Sequence, residues 1–198
     1  TPKPSSAASD VYKRQVQMSS RSGQFVTLRD LRKEVGNDAA RFYYVMRKSE
    51  QHIDFDLDLA VSQSKDNAVY YIQYAHARVN RMVDVKAPEK GISFDRSKVA
   101  DYDATLLVLD AETEILAKLA AYPEIVLRAA NSYEPHQVGN YLKELAALFH
   151  GWYNLDNTRI IDEQNIALSQ ARLLLSINVQ QVLRNGLELL GVSAPEAM

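Results

Sequence analysis

Lys65-Asp66-Asn67-Ala68-Val69-Tyr70-Tyr71-Ile72-Gln73-Tyr74-Ala75-His76-Ala77-Arg78-Val79-Asn80-Arg81-Met82-Val83-Asp84-Val85-Lys86 decides the fold. Within it Val69, Ile72, His76, Val79 and Val83 recur at alternating steps of three and four, the buried stripe of a bundle helix. A second stripe carries Tyr71, Tyr74 and Arg78. Rings beside a guanidinium suit an unstacked base, which stacks on the ring while the cation meets a phosphate or a base edge. The same tyrosines also serve as bundle filler with a wet hydroxyl, and periodicity alone favours that use.

Downstream the pattern stays helical. Ala87 to Ala100 holds Pro88, Gly91 and scattered charge, and reads as a mobile loop. Leu106, Leu109, Ile115, Leu116 and Leu119 mark a helix that stops before Pro123, and Pro123 opens a short one at Glu124 to Asn131. Pro135 starts another, with Val138, Tyr141, Leu142, Leu145, Leu148, Phe149 and Trp152 on a wide apolar face. The last helix spans about Gln164 to Leu190, turning Leu173, Leu174, Ile177, Val182, Leu183, Leu187 and Leu190 inward and stopping at Gly191. The class is all-α.

Upstream, Thr27 and Asp30 form a capping box for a helix with Leu28, Leu31 and Val35 on one face and Gly36 at its stop. Asp38 starts a second helix, whose Ala39, Phe42, Tyr43 and Met46 lead to Arg47-Lys48. Ile53 to Leu59 alternates strictly without a partner strand, and Asp54, Asp56 and Asp58 form its solvated face. Thr1 to about Gln15 is small, polar and aperiodic, hence expected to be disordered or an artefactual joint.

With 198 residues, 46% hydrophobic and 24% charged, the chain can bury a core without staples. It has no cysteine, which excludes disulfides and thiolate metal sites and fits a cytoplasmic protein. A net charge of −2 excludes coating nucleic acid by bulk basicity, so any RNA contact is a local patch. Neither DNA nor a membrane is an expected partner, and a monomer is expected. His52, His76, His136 and His150 are scattered without metal-ligand spacing and read as core or surface imidazoles. No Gly-x-Ser-x-Gly elbow occurs.

One further stretch has chemistry of its own. Met18-Ser19-Ser20-Arg21-Ser22-Gly23 combines hydroxyls, a forked cation and a glycine ahead of a helix, as a phosphate loop does, although taken alone the motif fits a solvated loop before a helix better. This loop, Asp38-Ala39-Ala40-Arg41, Tyr70 to Arg78, Leu148-Phe149-His150-Gly151-Trp152-Tyr153-Asn154 and Asn185 to Met198 together resemble bacterial arginyl-tRNA synthetases, from about Val16 onward.

That resemblance implies three parts: an N-terminal stretch 1–15 outside the pattern, the end of a catalytic domain with its KMSKS-type loop and an extended connector over 16–59, and a helical anticodon-binding (DALR) domain over 60–198. It implies a class I synthetase that activates arginine with ATP and Mg2+ and transfers it to tRNA(Arg). Met18, Ser19, Ser20 and Arg21 would then bind ATP, with Arg21 stabilising the pyrophosphate leaving group. Gln17 stands where the signature has its first lysine. Tyr71, Tyr74, Arg78, Tyr153 and Met198 would meet the anticodon, and no residue would bind a metal. The family's His-x-Gly-His motif is absent from these 198 residues, so the chain alone is expected not to aminoacylate. A stand-alone helical module for RNA or protein binding remains the alternative.

Overall fold

The computed structural model describes residues 27–48, 55–156 and 158–198. Three short helices come first: α1 (Leu28–Val35), α2 (Asn37–Val45) and α3 (Leu57–Val61). Thr27 caps α1 by accepting the Asp30 N–H at 3.1 Å. Gly36 ends it at φ 84°, a left-handed value that favours glycine, with its N–H on the Arg32 carbonyl.

From Leu57 to Leu59 helix α3 stands in place of the expected extended connector, while Ile53 and Asp54 lie outside the described residues. Asp56 accepts the Leu59 N–H at 3.0 Å and starts a helical turn, so it is a cap and not part of a solvated face. A five-residue helix is too short for its period to outweigh an alternating pattern.

The body is built from α4 (Ala68–Arg81), α5 (Ala87–Glu89), α6 (Asp110–Ala120), α7 (Tyr122–Ser132), α8 (His136–Tyr153) and α9 (Ile166–Leu189). Asn67 caps α4: its amide oxygen accepts the Tyr70 N–H while its amide nitrogen donates to the Ala60 and Ser62 carbonyls. Between α4 and α5 the chain widens into a π-helical stretch, Met82–Lys86. There the Ala87 N–H reaches back to the Met82 carbonyl. The wider turn lets Pro88 follow without driving its ring into a carbonyl one turn back. The loop expected from Ala87 therefore begins only after Glu89, and it contains a 3-10 turn at Val99–Asp101.

α8 packs against α4, α6, α7 and α9, so its apolar residues recur around most of its circumference. Leu142, Leu145, Phe149 and Trp152 are essentially solvent-free. Each such side chain contributes roughly 1.5–3 kcal/mol by leaving water. On α9 the inward set includes Leu175 and Val179 beside Leu173, Leu183 and Leu187, whereas Leu174, Ile177 and Val182 are half-buried at the margin. Leu116, one of the apolar residues that mark α6 in the sequence, is exposed. Among the described residues there is no strand.

Candidate nucleic-acid interface

α4 and α8 cross so that Ile72 and Ala75 of one meet a core that includes Ala146 and Phe149 of the other. Along the edge of that contact the spacing on each helix aligns side chains from both. Tyr71, Tyr74 and Arg78 project from α4, and His150 and Tyr153 from α8. All but His150 are half-buried, and His150 is buried.

Arg78 is the hub. Its Nη2 donates to the Tyr74 hydroxyl at 3.0 Å and its Nη1 to His150 Nδ1 at 3.1 Å. The guanidinium carbon lies 4.6 Å from the Tyr74 ring centroid and 4.3 Å from that of Tyr153, so the cation sits between two π faces. Lys86 donates to the Tyr153 hydroxyl at 3.0 Å. Tyr70 extends the array on the other side, stacked on Tyr74 with centroids 6.0 Å apart and planes at 5°.

The hydrogen bonds fix the tautomer of His150. Guanidinium only donates, so Nδ1 is the acceptor and the proton is on Nε2, which donates to the Tyr71 carbonyl at 3.2 Å. Burial pushes this imidazole down to about 4; Arg78 repels a second positive charge, and only the Tyr71 carbonyl opposes the shift. Burial likewise raises the Tyr71 phenol, against the pull of Arg78. Near neutral pH the array holds two cations, Arg78 and Lys86, among uncharged rings.

Such an array offers three things to RNA: guanidinium N–H groups already held in place, aromatic faces at its ends, and positive charge. The structure thus brings together Tyr71, Tyr74, Arg78 and Tyr153, four of the five residues expected at an RNA loop. Met198 ends a tail that is held on another face of α4. The C-terminal tail is held by Gln73 on the Ser193 carbonyl at 2.9 Å, His76 on the Pro195 carbonyl at 2.8 Å and Asn80 on the Glu196 carbonyl at 3.3 Å. Those three residues occupy a face of α4 nearly opposite Tyr71, Tyr74 and Arg78. The Met198 side chain is half exposed.

His150 and Lys86 are members that sequence reasoning missed. His150 lies 72 positions from Arg78 in the chain, and only the helix crossing joins them. Its one sequence signal was a place on α8 one turn before Tyr153, within the quoted Leu148 to Asn154 segment. Met18, Ser19, Ser20 and Arg21 lie outside the described residues. Among the described residues no cluster of histidine and carboxylate side chains could hold a metal ion. No helix there is long and apolar enough to cross a membrane.

Comparison with known proteins adds the following. The sequence pattern of the family described as "DALR anticodon binding domain" matches residues 72–198, more than half of the chain. An arginine–tRNA ligase of Acinetobacter baumannii (strain AYE) is 80% identical over 183 residues, covering 92% of this chain and 30% of that protein. The chain thus spans about a third of the length of the curated relatives it matches. A crystal structure from Campylobacter jejuni superposes with a TM-score of 0.76 at 26% identity, over 89% of this chain and 36% of that one. Thermus thermophilus arginyl-tRNA synthetase superposes with a TM-score of 0.64 at 27% identity, over 90% and 29%.

Proposed function

This chain belongs to the DALR anticodon binding domain family, and from that premise we propose that it is the anticodon-reading portion of an arginine–tRNA ligase. The observation that carries the reading is the Arg78 guanidinium, sandwiched between Tyr74 and Tyr153 and anchored on His150. An anticodon loop presents unpaired bases, and unpaired bases are what rings and a fixed guanidinium bind. Since His150 and Tyr74 each engage one N–H, three guanidinium N–H groups remain for a base edge or a phosphate. Holding the cation before RNA arrives lowers the ordering cost of binding. Met198, on its tail, is a candidate for a contact at the margin of the loop.

The parent reaction on this reading activates arginine with ATP and Mg2+ and passes it to tRNA(Arg), in the cytoplasm and as a monomer. Within this chain Met18, Ser19, Ser20 and Arg21 are the residues to meet ATP. Hydroxyls and a guanidinium suit phosphate oxygens, and a set without carboxylates leaves the metal ion to other parts of the enzyme. Arg21 would stabilise charge on the departing pyrophosphate.

The test is equilibrium binding of tRNA(Arg) to the chain and to Arg78→Ala. The variant is expected to weaken binding by about 1–3 kcal/mol, the scale of one stacked or bidentate contact. Arg78→Lys should restore little of it, because an ammonium cannot fill the planar slot between two rings. Unchanged affinity in Arg78→Ala, with the fold intact, would refute this interface.

A further inference from the structure

We propose that the cleft beside Tyr70 receives a second unpaired nucleobase of the same RNA loop, adjacent to the one that meets Arg78. The inference rests on the anticodon-reading assignment and adds to it a site and a ligand class.

The first ground is how the aromatic array ends. Tyr74 has Tyr70 one turn before it and Arg78 one turn after it, and Arg78 in turn lies against Tyr153. Its interior is therefore occupied, and a base can add to the stack only at an end. Tyr70 is one such end, and it is half-buried.

The second ground is the space that Tyr70 borders. The start of α2, the end of α3 and the start of α4 border an open cleft of about 500 Å3, lined by Gly36, Asp38, Val61, Asn67, Tyr70 and Gln73 among others. That volume is ample for one splayed base.

The wall chemistry selects the ligand. Asp38 places a carboxylate in the cleft, held by Gln73 Nε2 at 2.9 Å and by the Ser193 hydroxyl. A fixed negative charge repels a phosphate and accepts from the N–H edge of a base. Asn67 has its amide committed to the Ala60 and Ser62 carbonyls and the Tyr70 N–H, so it shapes the wall without swinging out. Flat ring, apolar Val61 and anchored carboxylate together describe a nucleobase pocket and not an anion site.

The test uses the full chain, an anticodon-stem hairpin of tRNA(Arg), and a set of hairpins each lacking one loop base. Tyr70→Leu should weaken binding of the intact hairpin about tenfold, the scale of one base stacked on an aromatic ring. On one abasic hairpin, different from the one that cancels the Arg78→Ala effect, Tyr70→Leu should cost nothing further. Val61→Trp, which narrows the cleft and leaves Tyr74 untouched, should repeat that pattern. If the Tyr70→Leu loss persists on every abasic hairpin, or is cancelled by the same position as Arg78→Ala, Tyr70 acts only through Tyr74 and the proposal fails. No loss in Tyr70→Leu while Arg78→Ala weakens binding also overturns it and leaves the Arg78 interface standing. No loss in either variant defeats the interface itself.

Discussion

At His150 one imidazole joins two helices, and its protonation state decides whether the join holds. Its Nδ1 must keep a lone pair for Arg78, so protonation both removes an acceptor and sets two cations 3.1 Å apart. Because the folded value is depressed to about 4, the unfolded chain binds the proton more readily between its ordinary value and about 4. Stability contributed by the neutral ring is thus fully present above pH 6.5 and lost as pH falls towards 4, a loss on the order of 3 kcal/mol. Below about 4 both states are protonated and this slope ends. His76 acts in the same direction: burial lowers it, and Arg184 donates to its Nε2 at 3.3 Å. Urea unfolding at stepped pH values should show the decline, and His150→Gln should remove the part due to His150 and leave the part due to His76. An unaltered slope in that variant would show that the neutral imidazole is not what stabilises the α4–α8 edge.

Between helices, closeness of approach depends on which residues lack a side chain. Gly186 of α9 faces Leu142 of α8, and a methyl group there would lie 2.5 Å from one Leu142 methyl and 2.9 Å from the other. Leu142 is fully buried and cannot step aside. Gly186→Ala gains up to about 1 kcal/mol of helix propensity but overpacks the crossing by about 1–3 kcal/mol. A net loss near 1 kcal/mol is therefore expected, read as a lower denaturation midpoint. Gly151, with open space at the corresponding position, should accept alanine without loss. Long amphipathic helices such as α8 and α9 were legible from spacing, since their buried faces repeat over many turns. Tyr71, Tyr74 and Arg78 were legible for the same reason, being set by one helix face. What sequence could not convey is what only a crossing creates: the Arg78–His150 contact, the cleft beside Tyr70, and the route of the C-terminal tail. Short elements escaped as well, α3 because one Asp56 cap outweighed an alternating pattern, and α5 because a π-helical turn absorbed Pro88.

Across the whole molecule, α6 and α9 are tied by a buried ion pair. Arg172 Nε donates to Glu112 at 2.7 Å, its Nη1 donates to the Arg159 carbonyl at 2.8 Å, and the Glu112 carboxylate also accepts the Leu109 N–H at 3.1 Å. Their side chains are 9% and 0% exposed, so both charges were stripped of water on folding and rely on these bonds. Removing one partner leaves the other charge buried, at a cost of about 3–5 kcal/mol. That is a large share of a typical total stability of about 5–15 kcal/mol. Arg172→Met should therefore come close to unfolding the chain at 37 °C. Replacing both, Arg172→Met with Glu112→Leu, removes the stranded carboxylate and should recover most of the loss, because two apolar side chains of similar volume fill the same space. Among the described residues, Arg172 and Glu112 are the one buried ion pair. Denaturant unfolding of the wild type, both single variants and the double variant closes a thermodynamic cycle, with a coupling of at least about 2 kcal/mol expected. A coupling near zero would mean that the two charges are solvated separately, and that apolar packing alone sets how α6 lies across α9.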